Sequence, residues 1–315
     1  MAVKQSHGIQ KFSFGIKIKK RQILLISYKN ILSKKRIVQE DLEKIENVYN
    51  ALLQERSEEK VGYYDLPINS LPLLEKIDML LERKIFKRAE SIVVVGVGGS
   101  SLGTKAIEQA LKPLCSKCKP VIFLENPDPL EIHNLFQLID KDSTIFIVIS
   151  KSGQTIETLS LFKLLIDHFK LDFTGGDKER TIFISDEGSP LHRLARKHHI
   201  NFYSIPQNVG GRFSVLSAVG IVPLTLAGYD TRSLLLSAKE MVERFFSRQE
   251  DHILSKALYL AENWQQYPMH VLFAYGSYLE GLTKWYIQLW GESLGKINAE
   301  GKHIRFNAPW TYWSN

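Results

Sequence analysis

The chain has 315 residues, of which 44% are hydrophobic, and it carries a formal net charge of +7. This length gives room for about two domains, and the composition is that of an ordinary globular protein. The sequence has no apolar run of the ~18 residues that a transmembrane helix needs, no signal-peptide pattern and only two cysteines. These features argue against a membrane protein and against a disulfide-rich secreted one, and we expect a cytoplasmic location.

The positive charge is concentrated at the amino-terminal end. Residues 1–39 contain ten Lys and Arg residues and no acid, so the rest of the chain is mildly acidic. A nucleic-acid-binding protein would spread basic residues over a folded face, and we expect no nucleic-acid partner. We interpret residues 1–36 as a basic, disordered leader. A transit peptide is the alternative, although lysine outnumbers arginine in this segment.

Residues 37–228 show the pattern of an α/β domain. Helical spacing predicts helices at 37–57 and 73–88, with a loop from Gly62 to Pro72 between them. Short β-branched or apolar runs then alternate with helical patterns. The predicted strands are 92–95, 121–124, 145–149, 181–184 and 202–205, and the predicted helices between them are 103–113, 129–139, 155–170 and 189–199. This alternation predicts a doubly wound parallel sheet with helices on both faces.

Residues 229–315 indicate an incomplete second domain. Helical patterns cover 233–248, 251–266 and 278–290, and we expect no convincing sheet after them. The helix at 278–290 carries an apolar face.

Cys115 and Cys118 form a CxxC pair upstream of the second predicted strand. One such pair supplies only half of a zinc site, and a second pair is absent from the sequence. We expect two reduced thiols, with a redox or metal role as the alternative.

Two loops at predicted strand ends are suited to binding an anion. The first runs from Gly96 to Gly103 and includes Gly99 and Ser100. It resembles a dinucleotide-binding loop, but Ser101 stands where the third glycine belongs, so this interpretation stays open beside others. The second loop clusters hydroxyl side chains at the start of a helix, where backbone N–H groups favour a phosphate. Its candidate binding residues are Ser150, Lys151, Ser152, Thr155 and Thr158. Helix capping is the alternative for one or two of these hydroxyls.

Two further charged residues stand beside glycines. Arg212 follows Gly210 and Gly211, a turn that suits an arginine holding an anion or a developing negative charge, although a surface salt bridge is the alternative. Glu292 lies between Gly291 and Gly295 after the helix at 278–290. The helix dipole disfavours an acid at a carboxyl end, which suggests another reason for its presence.

Taken together, these motifs resemble the phosphoglucose isomerase family, which is built from sugar isomerase domains. The four matching segments are 96–103, 150–158, 209–217 and 291–296. They occur in family order, and the resemblance covers residues 60–304. It implies interconversion of glucose 6-phosphate and fructose 6-phosphate through a cis-enediol, without a metal or organic cofactor, by a homodimer. It implies that Glu292 is the base that moves a proton between C1 and C2, and that Arg212 stabilises the enediolate. It implies a phosphate cradle at Ser150, Ser152 and Thr155, with Ser100, Lys151 and Thr158 close by.

The sequence also departs from the family. The family opens the sugar ring with a histidine in an Asp-Gln-His-type motif and a lysine near the carboxyl terminus, and this chain has neither segment. His303 is the nearest remaining histidine. Reading possible codons for Arg305 to Asn315 one base later gives a segment like the one that precedes this motif. We therefore expect a one-base frame change near codon 304, a truncated second domain and weak or absent turnover, which resequencing from codon 295 tests.

Two other functions compete with the isomerase. A non-catalytic phosphosugar-binding module would keep the hydroxyl cradle but would not need Glu292 or Arg212. A dinucleotide-dependent enzyme would use the first glycine loop and predicts binding of NAD.

Overall fold

The computed structural model describes residues 14–18, 22–26, 39–250, 252–295 and 308–314. The candidate His303 and residues 305–307 lie outside the described residues. A sheet with helices packed around it lies between Gln39 and Ala227. Its strands are β3 Ser91–Val95, β4 Val121–Leu124, β5 Thr144–Ile149, β6 Thr181–Ser185 and β7 Asn201–Ser204. Its helices are α1 Gln39–Ser57, α2 Leu66–Asn69, α3 Leu71–Leu81, α4 Lys84–Arg88, α5 Leu102–Leu111, α6 Pro129–Phe136, α7 Ile156–Phe169, α8 Pro190–His198 and α9 Ala218–Ala227.

The five strands form one parallel sheet in the order β4-β3-β5-β6-β7. This confirms the predicted doubly wound α/β fold. The strand order reverses between β3 and β5, because the chain leaves β3 to add β4 on one side and then returns to add β5 on the other. In open parallel sheets ligands bind beyond the carboxyl ends of the strands at this switch point. The loops after Val95 and Ile149 are therefore the expected binding loops.

Both faces of the sheet are buried, as the apolar strand runs predict. Alternate residues of β3 divide between two cores: Ile92 and Val94 pack with α3 and α9 on one face, and Val93 and Val95 pack with α6, α7 and α8 on the other. Helix α9 is almost entirely buried, which explains why its sequence is apolar on every side. Its amino end follows the Gly211–Leu216 3₁₀ segment directly, so the central core fixes the position of the arginine turn.

Residues 62–88, predicted as one loop and one helix, contain three helices. Helix α2 lies inside the predicted loop, and the predicted helix at 73–88 is two helices, α3 and α4. Pro67 and Pro72 occupy the first turns of α2 and α3. Proline is well tolerated there because those N–H groups have no helical partner, so these residues begin helices rather than a loop.

Two further pairs of strands lie outside this sheet. Strands β1 Phe14–Ile18 and β2 Gln22–Ile26 pair antiparallel inside the segment interpreted as a basic leader. Each of these strands contains two isoleucines, a β-branched residue that favours strands even among basic neighbours. Later in the chain, β8 Met269–Tyr275 and β9 Ala308–Ser314 form a parallel pair, although the sequence pattern indicated no convincing sheet there. Helices α10 Thr231–Phe246, α11 His252–Asn263 and α12 Glu280–Leu294 follow α9.

The two cysteines are joined in a disulfide, so the expectation of reduced thiols is wrong. A 3₁₀ turn at Lys112–Leu114 follows α5, and the Cys115 N–H donates to the Lys112 carbonyl oxygen. A second turn, at Ser116 and Lys117, brings the Cα atoms of Cys115 and Cys118 to 5.6 Å, which is within the usual range for a disulfide. Among the described residues, none of the helices has the length and apolar character to cross a membrane.

Candidate functional site

The glycine loop after β3 touches the arginine turn directly. A Cβ atom on Gly99 would lie 2.6 Å from the carbonyl oxygen of Gly211 and 2.8 Å from the backbone nitrogen of Arg212. Only a residue without a side chain permits this approach. Gly98 has a φ of +59°, a conformation that other residues rarely adopt. The two glycine segments, more than a hundred residues apart in sequence, therefore build one wall of the site together.

The hydroxyl loop after β5 begins with a buried serine. Ser150 is 1% exposed, and its hydroxyl lies 3.1 Å from that of Thr155, the residue that precedes α7. Gly153, with a φ of +65°, allows the tight turn between them. Ser152 is exposed and its hydroxyl accepts from the Gln154 N–H at 3.1 Å. The loop thus presents hydroxyls beside the amino end of a helix, where N–H groups favour an anion.

Lys151 is held by backbone carbonyls. Its Nζ atom donates to the carbonyl oxygen of Gln207 at 2.9 Å and to that of Val209 at 2.7 Å. Both carbonyls belong to the segment that leads into Gly210 and the arginine turn. This lysine lines the cleft, as expected, but its hydrogen bonds also tie the hydroxyl loop to the arginine turn.

Arg212 and Glu292 face each other although they are eighty residues apart. The Arg212 Nη1 atom lies 3.5 Å from Glu292 Oε2. The guanidinium also donates through Nε to the Ser293 hydroxyl at 2.9 Å and stacks over the Phe213 ring at 4.4 Å. The Arg212 carbonyl oxygen accepts from Trp285 Nε1 at 3.1 Å. Helix α12 thus fixes both the backbone and the side chain of the arginine.

Glu292 lies on the last turn of α12, because the helix runs to Leu294 rather than ending before the glutamate as the sequence suggested. One turn earlier on the same helix, Gln288 donates from Nε2 to Glu292 Oε1 at 3.0 Å. One carboxylate oxygen therefore faces the arginine and the other faces an amide donor. The Glu292 side chain is 51% exposed, so a ligand in the cleft can reach it.

These groups surround one cleft of about 500 Å³, large enough for a phosphorylated sugar. Its lining residues are Val97, Gly98, Gly99, Ser100, Lys151, Ser152, Thr155, Asp186, Gly211, Arg212, Gln288 and Glu292. The structure therefore brings seven of the nine predicted site residues to one cleft. Ser150 and Thr158, each 1% exposed, lie behind the lining instead.

Sequence reasoning missed Asp186 and Gln288. Asp186 follows β6 directly, and its N–H donates to the Lys151 carbonyl oxygen at 2.9 Å. Burial raises the pKa of the Asp186 carboxyl, and the nearby Lys151 charge opposes that rise. Ligands bind beyond the carboxyl ends of parallel strands, and this rule applies to β6 as well as to β3 and β5. Asp186 could therefore have been predicted from the sequence. Gln288 could have been found from its i, i+4 spacing to Glu292.

Comparison with known proteins places this site in a family. The sequence model of phosphoglucose isomerase matches residues 75–315. The chain belongs to the phosphoglucose isomerase family. Each of the four segments that carry the predicted site residues lies within the matched range.

Individual relatives and solved structures are similar to this chain. A glucose-6-phosphate isomerase of Campylobacter jejuni is 40% identical over 258 residues, which cover 82% of this chain and 63% of that protein. A crystal structure of the hypothetical protein TT0462 from Thermus thermophilus superposes with a TM-score of 0.78 at 30% identity, over 87% of this chain and 65% of that one. A crystal structure of a glucose-6-phosphate isomerase from Chlamydia trachomatis has a TM-score of 0.66 at 27% identity, over 76% of this chain and 47% of that one. The chain thus spans less than two thirds of the length of these relatives.

Proposed function

We propose that this chain catalyses, or forms part of an enzyme that catalyses, the interconversion of glucose 6-phosphate and fructose 6-phosphate. The observation that carries the proposal is the pairing of the Glu292 carboxylate with the Arg212 guanidinium at 3.5 Å, in a cleft that also contains hydroxyls at a helix amino end. A sugar phosphate needs both ends of such a cleft. Its phosphate needs donors, and its C1–C2 unit needs a base and a cation.

The phosphate end is formed by Ser100, Ser152, Thr155 and the amino end of α7. Hydroxyls and helix N–H groups bind an anion without requiring a full positive charge. Ser150, which lies behind the lining, supports Thr155 through the 3.1 Å contact between their hydroxyls. Thr158, buried on the first turn of α7, supports the helix end rather than reaching the ligand.

The reacting end is formed by Glu292 and Arg212. In the open-chain aldose, the Glu292 carboxylate removes the proton from C2, and the electron pair moves onto the C1 carbonyl to give a cis-enediolate. Arg212 stabilises the negative charge that develops on oxygen. A proton moves between the oxygens on C1 and C2, and Glu292 returns its proton to C1 to give the ketose. A positioned general base contributes about 10²–10⁴-fold to such a step.

Exchange of carbon-bound hydrogen with solvent tests this proposal. The purified chain is incubated with fructose 6-phosphate in D₂O, and loss of the C1 proton signal is followed by NMR. We expect slow exchange that depends on the chain and that Glu292→Gln abolishes, while calorimetry shows that the variant still binds the sugar phosphate. Binding without exchange in the unmodified chain would reject catalysis by this chain alone and support a phosphosugar-binding module. A thermal shift with NAD tests the dinucleotide alternative.

The homodimer stays a prediction that follows from the family resemblance, and the cytoplasmic location stays a prediction from the composition of the sequence. Sedimentation velocity of the chain with and without fructose 6-phosphate measures its oligomeric state. A single monomeric species under both conditions would contradict the dimer.

A further inference from the structure

The Cys115–Cys118 disulfide has no part in the proposed isomerase chemistry, and it lies at the opposite end of α5 from the cleft. Helix α5 begins just after the glycine loop and ends at Leu111, one short turn before Cys115. Ten helical residues span about 15 Å. Any role of this disulfide therefore acts on the helices behind the site rather than on the ligand.

The disulfide loop is open to solvent on one side and packed on the other. Ser116 and Lys117, the two residues between the cysteines, are exposed. Leu114, just before the loop, is 46% exposed. Both cysteines are half-buried and contact the core formed by α3 and α9. A small thiol can approach the disulfide from the outside, while the inner side contacts the protein.

The inner side rests on the junction between α9 and α10. The Lys119 N–H donates to the Ala227 carbonyl oxygen at 2.8 Å, which ties the residue after Cys118 to the end of α9. Gly228 ends α9 with a φ of +100°, and a Cβ on it would lie 3.8 Å from the Cys118 Sγ atom. The Tyr229 hydroxyl donates to Glu108 on α5 at 3.1 Å. The carboxyl ends of α5 and α9 therefore meet at the disulfide loop.

The amino ends of the same two helices meet at the cleft. Helix α5 follows the glycine loop, α9 follows the arginine turn, and Gly99 contacts Gly211 between them. The two helices are thus joined by backbone contact at one end and by the disulfide loop at the other. A change in the loop alters how firmly their carboxyl ends are held together.

We propose that Cys115 and Cys118 form a thiol–disulfide exchange site, with low-molecular-weight thiols of the glutathione class as its partners, and that the oxidised form fastens the carboxyl end of α5 to the α9–α10 junction. In the oxidising direction, one cysteine thiolate attacks glutathione disulfide, forms a mixed disulfide and releases one glutathione. The second cysteine thiolate then attacks the protein sulfur of that mixed disulfide, closes the Cys115–Cys118 bond and releases a second glutathione. The dithiol loses two electrons and two protons, and glutathione disulfide gains them.

Thiol trapping of the native full chain tests the exchange. The chain is equilibrated in buffers of varied glutathione to glutathione disulfide ratio, quenched with N-ethylmaleimide and weighed by mass spectrometry. We expect both cysteines to change together, from two adducts in reducing buffer to none in oxidising buffer, and Cys115→Ser to give a mixed disulfide on Cys118. Two free thiols in excess glutathione disulfide would overturn the proposal. So would a disulfide that exchanges only after denaturation.

Hydrogen exchange and thermal unfolding test the consequence. In the oxidised chain we expect slower exchange of the Lys119 N–H, and an unfolding temperature about 4 °C above that of the reduced chain, because the bond closes only a four-residue loop. The chemically reduced chain and the Cys115→Ser/Cys118→Ser variant should show the same Lys119 N–H exchange rate and the same unfolding temperature. The Ser116→Ala variant keeps the disulfide, is the matched control and should behave like the oxidised chain. Equal exchange rates and equal unfolding temperatures in both redox states would overturn the fastening role.

Discussion

The Nζ atom of Lys151 lies 2.7 Å from the carbonyl oxygen of Val209, three residues before Arg212. Through this bond and the one to Gln207, the loop that carries the hydroxyls holds the segment that carries the arginine. The two ends of the cleft are therefore mechanically connected. A movement of the hydroxyl loop would therefore also displace Arg212 at the reacting end.

Replacing Lys151 with Met tests this connection. The variant leaves two carbonyl oxygens without their donor and frees the segment before Arg212. We expect kcat/KM for fructose 6-phosphate to fall about 10- to 100-fold, since small displacements of a catalytic group are costly. Lys163→Met, at an exposed position on α7, is the matched control and should keep full activity. Equal activity of the two variants would show that the lysine does not position the turn.

Replacing Gly99 with Ala tests the contact between the two glycine segments. The new methyl group would lie 2.6 Å from the Gly211 carbonyl oxygen, so one backbone must move. We expect a loss of about 1–3 kcal/mol in the free energy of unfolding, as for other overpacked sites. Activity should fall by about 100-fold or more because the arginine turn shifts. Gly176→Ala, where a Cβ would meet nothing within 4 Å, is the control. Similar urea midpoints for the two variants would contradict the predicted clash.

Much of this arrangement could be read from the sequence, because apolar strand runs and the loops that end them are local patterns. The strands β3 to β6 and the cleft residues Ser152, Thr155 and Arg212 follow from such patterns and from the rule that ligands bind at strand carboxyl ends. The pairing of β8 with β9 could not be predicted this way, since more than thirty residues separate the strands and pairing depends on tertiary packing.

The hydrogen bonds of Lys151 and the Cys115–Cys118 disulfide also could not be predicted from the sequence. A lysine in a serine-rich loop looks the same whether it contacts a ligand or two carbonyls, and only the position of residues 207–209 decides. The state of Cys115 and Cys118 depends on a turn that brings their backbones to 5.6 Å, and CxxC spacing alone is compatible with reduced thiols or a metal site.

Replacing Gln288 with Leu tests the support of the proposed base. The amide donates to one oxygen of Glu292, and its loss leaves that oxygen free to rotate away from the reacting carbons. We expect kcat to fall about 10-fold, with a smaller change in KM, because a hydrogen bond to a charged group contributes about 1.5–3 kcal/mol. Gln288→Glu should be worse, since it places a second negative charge beside the carboxylate. Steady-state kinetics of both variants check this. If the Leu variant were as active as the unmodified chain, Gln288 would have no positioning role.

The pH dependence of stability tests the environment of Asp186. Burial raises the pKa of its carboxyl in the folded protein, so the folded state binds this proton more tightly than the unfolded state does. The stability that the group contributes is therefore present at low pH and is lost as pH rises through the folded pKa. Asp186→Asn removes the charge, and we expect it to be more stable than the unmodified chain at pH 7, with the difference shrinking below pH ~4.

Asp167→Asn is a control of opposite sign for the same measurement. The hydrogen bond from Lys170, at 2.9 Å, lowers the pKa of the Asp167 carboxyl in the folded protein. The stability that Asp167 contributes is therefore present above the unfolded pKa and is lost as pH falls through the folded pKa. Urea unfolding at several pH values should show the Asp167 variant slightly less stable than the unmodified chain at pH 7 and equal to it in acid. If Asp186→Asn instead followed the Asp167 pattern, the Asp186 carboxylate would be stabilised by Lys151 rather than penalised by burial.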